Sequence, residues 1–98
     1  MIKSIEFHQG ARDDFDESFN WYAKNSPKAA VAFSTAVENT TADIQANPNR
    51  FPPTHFGCRH APLKRFPFRI VYRDELNRLV VVAVSHIRRQ PGYWGERV

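Results

Sequence analysis

Ninety-eight residues with 42% apolar and 13% aromatic side chains describe one folded domain, residues 1–98, and exclude a disordered polyelectrolyte. The lone cysteine, Cys58, excludes an internal disulfide, and apolar runs no longer than Leu79 to Val84 exclude a membrane-spanning helix. The formal charge of +4 is unevenly spread: residues 1–50 hold five Lys and Arg against seven Asp and Glu, residues 51–98 nine against three. Such asymmetry favours a polyanionic target or an acidic protein partner for the second half.

The N-terminal stretch MIKSIEFHQG lacks the apolar core of a signal peptide, so a cytoplasmic location is expected. Ile2 to Phe7 reads as a short strand, broken by His8-Gln9-Gly10. A helix is predicted from about Ala11, with Asp13, Asp14, Asp16 and Glu17 in its first turns, where carboxylates meet the positive end of the helix dipole. Phe15, Phe19, Tyr22 and Ala23 form its apolar stripe, and Trp21 lies off that stripe, free to pack against a neighbour or a partner. Ser26 as N-cap and Pro27 at the first helical position open a second helix, because proline lacks a donor that would have no partner there. Its buried edge is predicted to be Ala30, Phe33, Val37, Thr41 and Ile44, and Asn47-Pro48 ends it near Ala46. The short link between the two makes an antiparallel helical hairpin.

Asn49 to Pro53 is a proline-rich loop, and a strand is expected around Gly57 to Ala61. Phe66, Phe68, Ile70 and Tyr72 then alternate with Pro67, Arg69, Val71 and Arg73, the period-two signature of a strand with one face on a core. The polar cluster from Arg73 to Arg78 is a turn. Leu79 to Val84, LVVVAV, is apolar on both parities and rich in β-branched residues, as suits a strand covered on both faces. The order strand, helix, helix and three strands predicts an α+β fold. In it the helical hairpin packs on one face of a C-terminal antiparallel β-meander, and the first strand joins the sheet edge.

The last strand delivers Ser85-His86-Ile87-Arg88-Arg89-Gln90-Pro91-Gly92-Tyr93-Trp94 to its C-terminal end, a rigid support for a phosphate-handling surface. His86, by parity with Val80, Val82 and Val84, sits where the fold opens to solvent; it reads either as a general acid or base or as a hydrogen-bonded cap of the strand. Arg69 and Arg73 share a strand face. They are either ordinary surface charge or a phosphate or carboxylate site, which Arg59, Lys64 and Arg65 would extend. Tyr93 and Trp94 either stack on bases or fold back onto the core, the latter being the expectation for Trp94. His55, Cys58 and His60 are spaced only loosely like metal ligands, His8 is weaker still, and no metal or other cofactor is expected. Neither a glycine-rich phosphate loop nor a nucleophile elbow is present.

The run Ser26-Pro27, Ala30, Phe33, Ile44, Asn47-Pro48, then RFPFRIVYR from Arg65 to Arg73 and HIRRQPGYW from His86 to Trp94, resembles the RelE/ParE superfamily of bacterial toxins over nearly the whole chain. The resemblance implies a growth-arresting toxin of a type II toxin–antitoxin system, held in a hetero-oligomer by a cognate antitoxin that wraps it with a helix and a strand. RelE-like members cut messenger RNA on the ribosome without a metal, which here would have Arg69 and Arg89 hold phosphate, His86 transfer a proton and Tyr93 or Trp94 stack on a base. ParE-like members inhibit DNA gyrase instead. In that case Arg59, Lys64, Arg65, Arg73, Arg88, Tyr93 and Trp94 belong to a protein-binding surface and no residue is catalytic. The paired lysines of the RelE-like enzymes have no counterpart between Arg59 and Arg65, and the style of the two blocks is closer to the ParE-like branch. A basic nucleic-acid-binding module without toxicity is the third class; salt-dependent binding to free RNA or DNA would mark it.

Overall fold

The computed structural model describes residues 2–98. Strand β1 (Ser4–Phe7) leads into helices α1 (Gln9–Asn25) and α2 (Pro27–Ala46), followed by strands β2 (Arg59–Pro62), β3 (Phe68–Asp74) and β4 (Arg78–His86), with short 3₁₀ turns at His55–Gly57 and Gly95–Arg97. The four strands form one sheet in the order β1-β4-β3-β2. The late strands pair antiparallel, and β1 lies parallel to the first half of β4, from Ser4 opposite Arg78 to Phe7 opposite Val81. The expected α+β layout is therefore the one observed.

Local chemistry explains how the helices start, and corrects two expectations. Helix α1 starts two residues earlier than predicted, because the His8 ring nitrogen Nδ1 accepts the Gly10 amide at 2.9 Å and acts as the cap. The acidic cluster thus falls beyond the first turn, which carries no carboxylate. Ser26 does cap α2, its hydroxyl accepting the Ala29 amide at 3.2 Å with Pro27 just inside. On α2 the buried threonine is Thr40, while Thr41 turns outward and donates to the Glu38 carbonyl. An edge of threonines at both positions left the sequence pattern one residue out of phase.

The helices cover one face of the sheet. Phe33, fully buried, is the hub: Phe15, Tyr22, Phe66 and Phe68 all lie with ring centroids 5.1–5.5 Å from it, in offset or edge-on geometry. Ile44, Ile70, Tyr72, Leu79, Val81 and Val84 complete that core. A second, smaller cluster on the opposite face gathers Cys58, Val71, Val82, Ala83 and Trp94. Strand β4 is thereby buried on both sides, as its apolar run predicts. A bulge sits between the Val71–Ala83 and Tyr72–Val81 pairs, leaving Val82 as the extra residue of β4.

Two outcomes follow from this packing. Phe33→Ala is expected to lower unfolding stability by about 3–5 kcal/mol, because four aromatic neighbours cannot collapse into the space one ring leaves, as denaturant titration would measure. Burial pushes the Tyr72 phenol up to about 12, and its hydroxyl donates to the Pro48 carbonyl at 2.6 Å. The unfolded phenol ionises near pH 10, so the stability contributed by Tyr72 is intact below that value and is lost as pH climbs through about 12. Tyr72→Phe is expected to remove that alkaline slope, at a cost near neutrality of about 1 kcal/mol for the lost bond.

Candidate functional site

The register at the open end of the β3–β4 hairpin decides which side chains share a surface. Phe68 lies opposite His86, and Arg69 opposite Ser85. Residues directly opposed across a ladder share a face, and successive residues alternate. Phe68 belongs to the helix-side core, so His86 points toward the helices, its ring edge-on to Phe68 at 5.0 Å. Arg69 points to the other side, where Val71 and its cross-strand partner His60 also lie. The parity with Val80 and Val82 that the sequence assigned to His86 does not hold, because the bulge at Val82 shifts the alternation along β4.

On the helix side a groove of about 770 Å³ runs between α1 and the hairpin end, with Trp21, Tyr22, Phe68, His86, Arg89 and Tyr93 among its walls. Trp21 is 62% exposed, and rests edge-on against Tyr22 at its rim. His86 Nδ1 accepts the Arg88 amide at 3.0 Å, which leaves Nε2 to carry the proton of a neutral ring. The Arg89 guanidinium lies 4.0 Å from the centroid of the Tyr93 ring, a cation–π contact. His86, Arg89 and Tyr93 therefore come together, and Arg69 does not join them.

The outer side is different. Trp94, 2% exposed, is packed into the Cys58–Val71–Val82–Ala83 cluster and capped edge-on by Phe56 at 5.7 Å. Phe56 holds a left-handed backbone (φ 58°) to do so. A stacking role for Trp94 on a base or a target is thus corrected: its indole is core, as the folded-back reading had it. Burial pushes the Cys58 thiol up, with the Arg73 charge opposing. Burial first and the Arg69 charge second push the His60 imidazole below its ordinary value. Among the described residues no group of three or more His, Cys, Asp or Glu is arranged to hold a metal ion, and His8 serves as the α1 cap.

The remaining basic residues divide by employment. Arg59 donates to the Phe51 carbonyl at 2.7 Å and so ties β2 to the preceding loop. Arg73 sits 3.7 Å from Glu75 at the far end of the hairpin. Both are corrections to a single continuous patch. Lys64 and Arg65, in the β2–β3 loop, Arg69 and Arg88 are exposed.

Sequence reasoning missed the pair that closes this end of the molecule. Arg97 Nη1 lies 2.8 Å from Asp14 Oδ2 and Nη2 3.3 Å from Oδ1, a two-pronged ion pair across 83 positions of chain. Each partner also engages β4: Arg97 Nη1 donates to the Val82 carbonyl at 3.1 Å, and Asp14 Oδ2 accepts the Val84 amide at 3.1 Å. The Tyr93 hydroxyl donates to the same Asp14 oxygen at 3.0 Å. Burial, and then the Asp14 charge, push the Tyr93 phenol up, while the hydrogen bond to Asp14 raises the Arg97 pKa. Nothing local in the sequence couples residue 14 to residue 97: by residue order Asp14 serves the dipole of a helix from about Ala11, and only the earlier start at Gln9 places it beyond the first turn.

Residues 5–91 match the family model described as "ParE toxin of type II toxin-antitoxin system, parDE". Toxin ParE2 of Mycobacterium tuberculosis, found in two strains, is 29% identical over 92 residues, spanning 93% of this chain and 88% of the relative. Among solved structures, a chain of the chromosomal ParDE TA system from P. aeruginosa superposes with a TM-score of 0.76 at 20% identity, covering 87% of this chain and 96% of that one. A chain of the toxin–antitoxin complex RelBE2 from Mycobacterium tuberculosis superposes with a TM-score of 0.60 at 21% identity, covering 88% and 92%. These likenesses bear on the fold.

The Asp14–Arg97 pair generates a double-mutant test. Asp14→Ala and Arg97→Ala are each expected to cost about 1–3 kcal/mol, since either leaves a charge and a β4 main-chain group without its partner. The two together should cost less than the sum by about 1 kcal/mol or more, measured by denaturant unfolding of all four proteins.

Proposed function

The chain belongs to the ParE toxin family of type II toxin–antitoxin systems, and from that premise we propose that it is a cytoplasmic growth-arresting toxin that binds DNA gyrase and is neutralised by a cognate antitoxin. The observation that carries the choice of target is the register of the hairpin: Arg69 lies opposite Ser85 and His86 opposite Phe68, so guanidinium and imidazole leave the sheet on opposite faces. Cleavage of RNA through its 2′-hydroxyl needs a proton-transferring group and cations converging on one phosphate. With Arg69 turned away from His86, Arg89 and Tyr93, the basic side chains serve better as a contact surface for a protein than as a catalytic set.

On this reading the two sides of the hairpin end have different tasks. The exposed cations Lys64, Arg65, Arg69 and Arg88 offer guanidinium and ammonium groups to an acidic segment of the antitoxin, whose presence keeps the toxin from its target. The groove beside α1, with Trp21 at its rim and Arg89 on its wall, has the apolar body and polar edge of a protein-recognition surface. The support for an antitoxin partner is that the superposed chains come from toxin–antitoxin assemblies.

Purified protein is expected to inhibit supercoiling by gyrase and to leave broken DNA, with messenger RNA intact in arrested cells. His86→Ala should keep full toxicity provided the fold persists. Ribosome-dependent cuts in messenger RNA, abolished by His86→Ala, with gyrase untouched, would move the protein to the nuclease branch. Harmless overexpression of the folded chain without antitoxin would remove it from the toxins altogether.

A further inference from the structure

The β2–β3 loop holds an arginine in a backbone conformation that suits glycine. Arg65 has φ 69°, in the left-handed region where a Cβ crowds the following carbonyl. Its neighbours impose that turn. Leu63 is buried, with its amide donating to the Phe68 carbonyl at 2.9 Å, and Phe66 packs edge-on against Tyr22 and Phe33. Between these two anchored side chains Lys64 and Arg65 form the outward tip. Both are exposed, and neither takes part in an ion pair among the described residues. An arginine at a position that glycine fills without strain points to a use for its side chain outside the fold.

That tip lines a slot of about 430 Å³ between the loop and α2. Ala36, Thr40 and Asp43, on one face of α2, make one wall, and Phe51, Leu63 and Arg65 face them. Lys64 and Arg50 add two exposed cations, Arg50 lying over the Phe51 ring at 5.3 Å. The slot shares no residue with the groove beside α1. It combines apolar walls with three cations and a single carboxylate.

We propose that this slot anchors the acidic segment of the antitoxin: one apolar side chain of that segment enters between α2 and the β2–β3 loop, and carboxylates flanking it pair with Arg65, Lys64 and Arg50. Contact here presupposes the antitoxin partner proposed above and adds where it is held. Apolar walls reward a side chain rather than a phosphate backbone, which the Asp43 carboxylate also repels, so a peptide suits the slot better than a nucleic acid. With Asp43 on the α2 wall and Lys64 and Arg65 on the other, charge sets direction as well: the acids of the occupant lie along the loop. A guanidinium on a turn fixed by Leu63 and Phe66 can grip a carboxylate with two parallel bonds while little loop freedom is lost.

Arg65→Gly separates binding from folding, because it removes the cation and relieves the left-handed backbone together. Its melting temperature should equal or exceed that of the wild type. Calorimetric titration of the full chain with its purified cognate antitoxin should nevertheless show affinity roughly tenfold weaker. Asn39→Trp, from an exposed position on α2, fills the slot and should weaken binding by a similar factor. Lys28→Ala removes an exposed charge near the start of α2, away from the slot, and should change affinity by no more than about twofold. Wild-type affinity in Arg65→Gly or Asn39→Trp would overturn the slot. So would an equal loss in Lys28→Ala, the mark of general charge attraction. Self-association of the chain in light scattering, abolished by Arg65→Gly, would give the slot to a second copy and remove the antitoxin from it. A wild-type chain that binds no antitoxin would bring down the antitoxin reading and the slot with it; normal binding that the variants do not disturb would bring down the slot alone.

Discussion

Strand β4 lies at the centre of this molecule and is buried on both faces, so each of its main-chain groups must find a partner inside the protein. β3 supplies one side throughout. On the other side β1 suffices only as far as Val81, because the chain must then turn at His8 to begin α1. The gap is closed by Asp14 from α1 and Arg97 from the C-terminal tail, which satisfy β4 and each other at once. That one ion pair ties the first helix, the central strand and the last residues of the chain into a single unit.

The tail positions the aromatic side chains of the site as a consequence. With Arg97 anchored, Tyr93 lies between two guanidinium groups, 4.0 Å from Arg89 and 5.2 Å from Arg97, and its hydroxyl joins the Asp14 network. Trp94 is carried to the opposite face of the sheet and becomes core. Two neighbouring aromatics thus end with opposite roles: Tyr93 in the wall of the helix-side groove, Trp94 beneath Phe56. Mutations at residue 14 or 97 therefore bear on the groove as well as on stability.

The placement of the cations matters as much as their number. Positive charge in the second half of the chain is not one patch. Arg59, Arg73, Arg78 and Arg97 are committed to carbonyls or carboxylates of the fold, while Lys64, Arg65, Arg69 and Arg88 are exposed. A guanidinium that already satisfies a carboxylate has less to offer a partner, so the free set defines the surface. That distribution suits the protein contact surface proposed for this member of the ParE toxin family, with electrostatics setting encounter and register.

Much of the architecture was legible from residue order. Ser26-Pro27 announces a helix start, the alternation from Phe66 to Arg73 fixes a half-buried strand, and LVVVAV announces one covered on both sides; each is a local preference with a local cause. The blocks around Arg69 and His86 were also enough to point to the toxin superfamily. What only the tertiary structure decided is which residues share a surface. A bulge is invisible inside a run that is apolar on both parities, so the face of His86 could not be read from spacing. Nor could periodicity connect Asp14 with Arg97, since the bond between them is set by where the sheet runs out of strand rather than by anything near either residue.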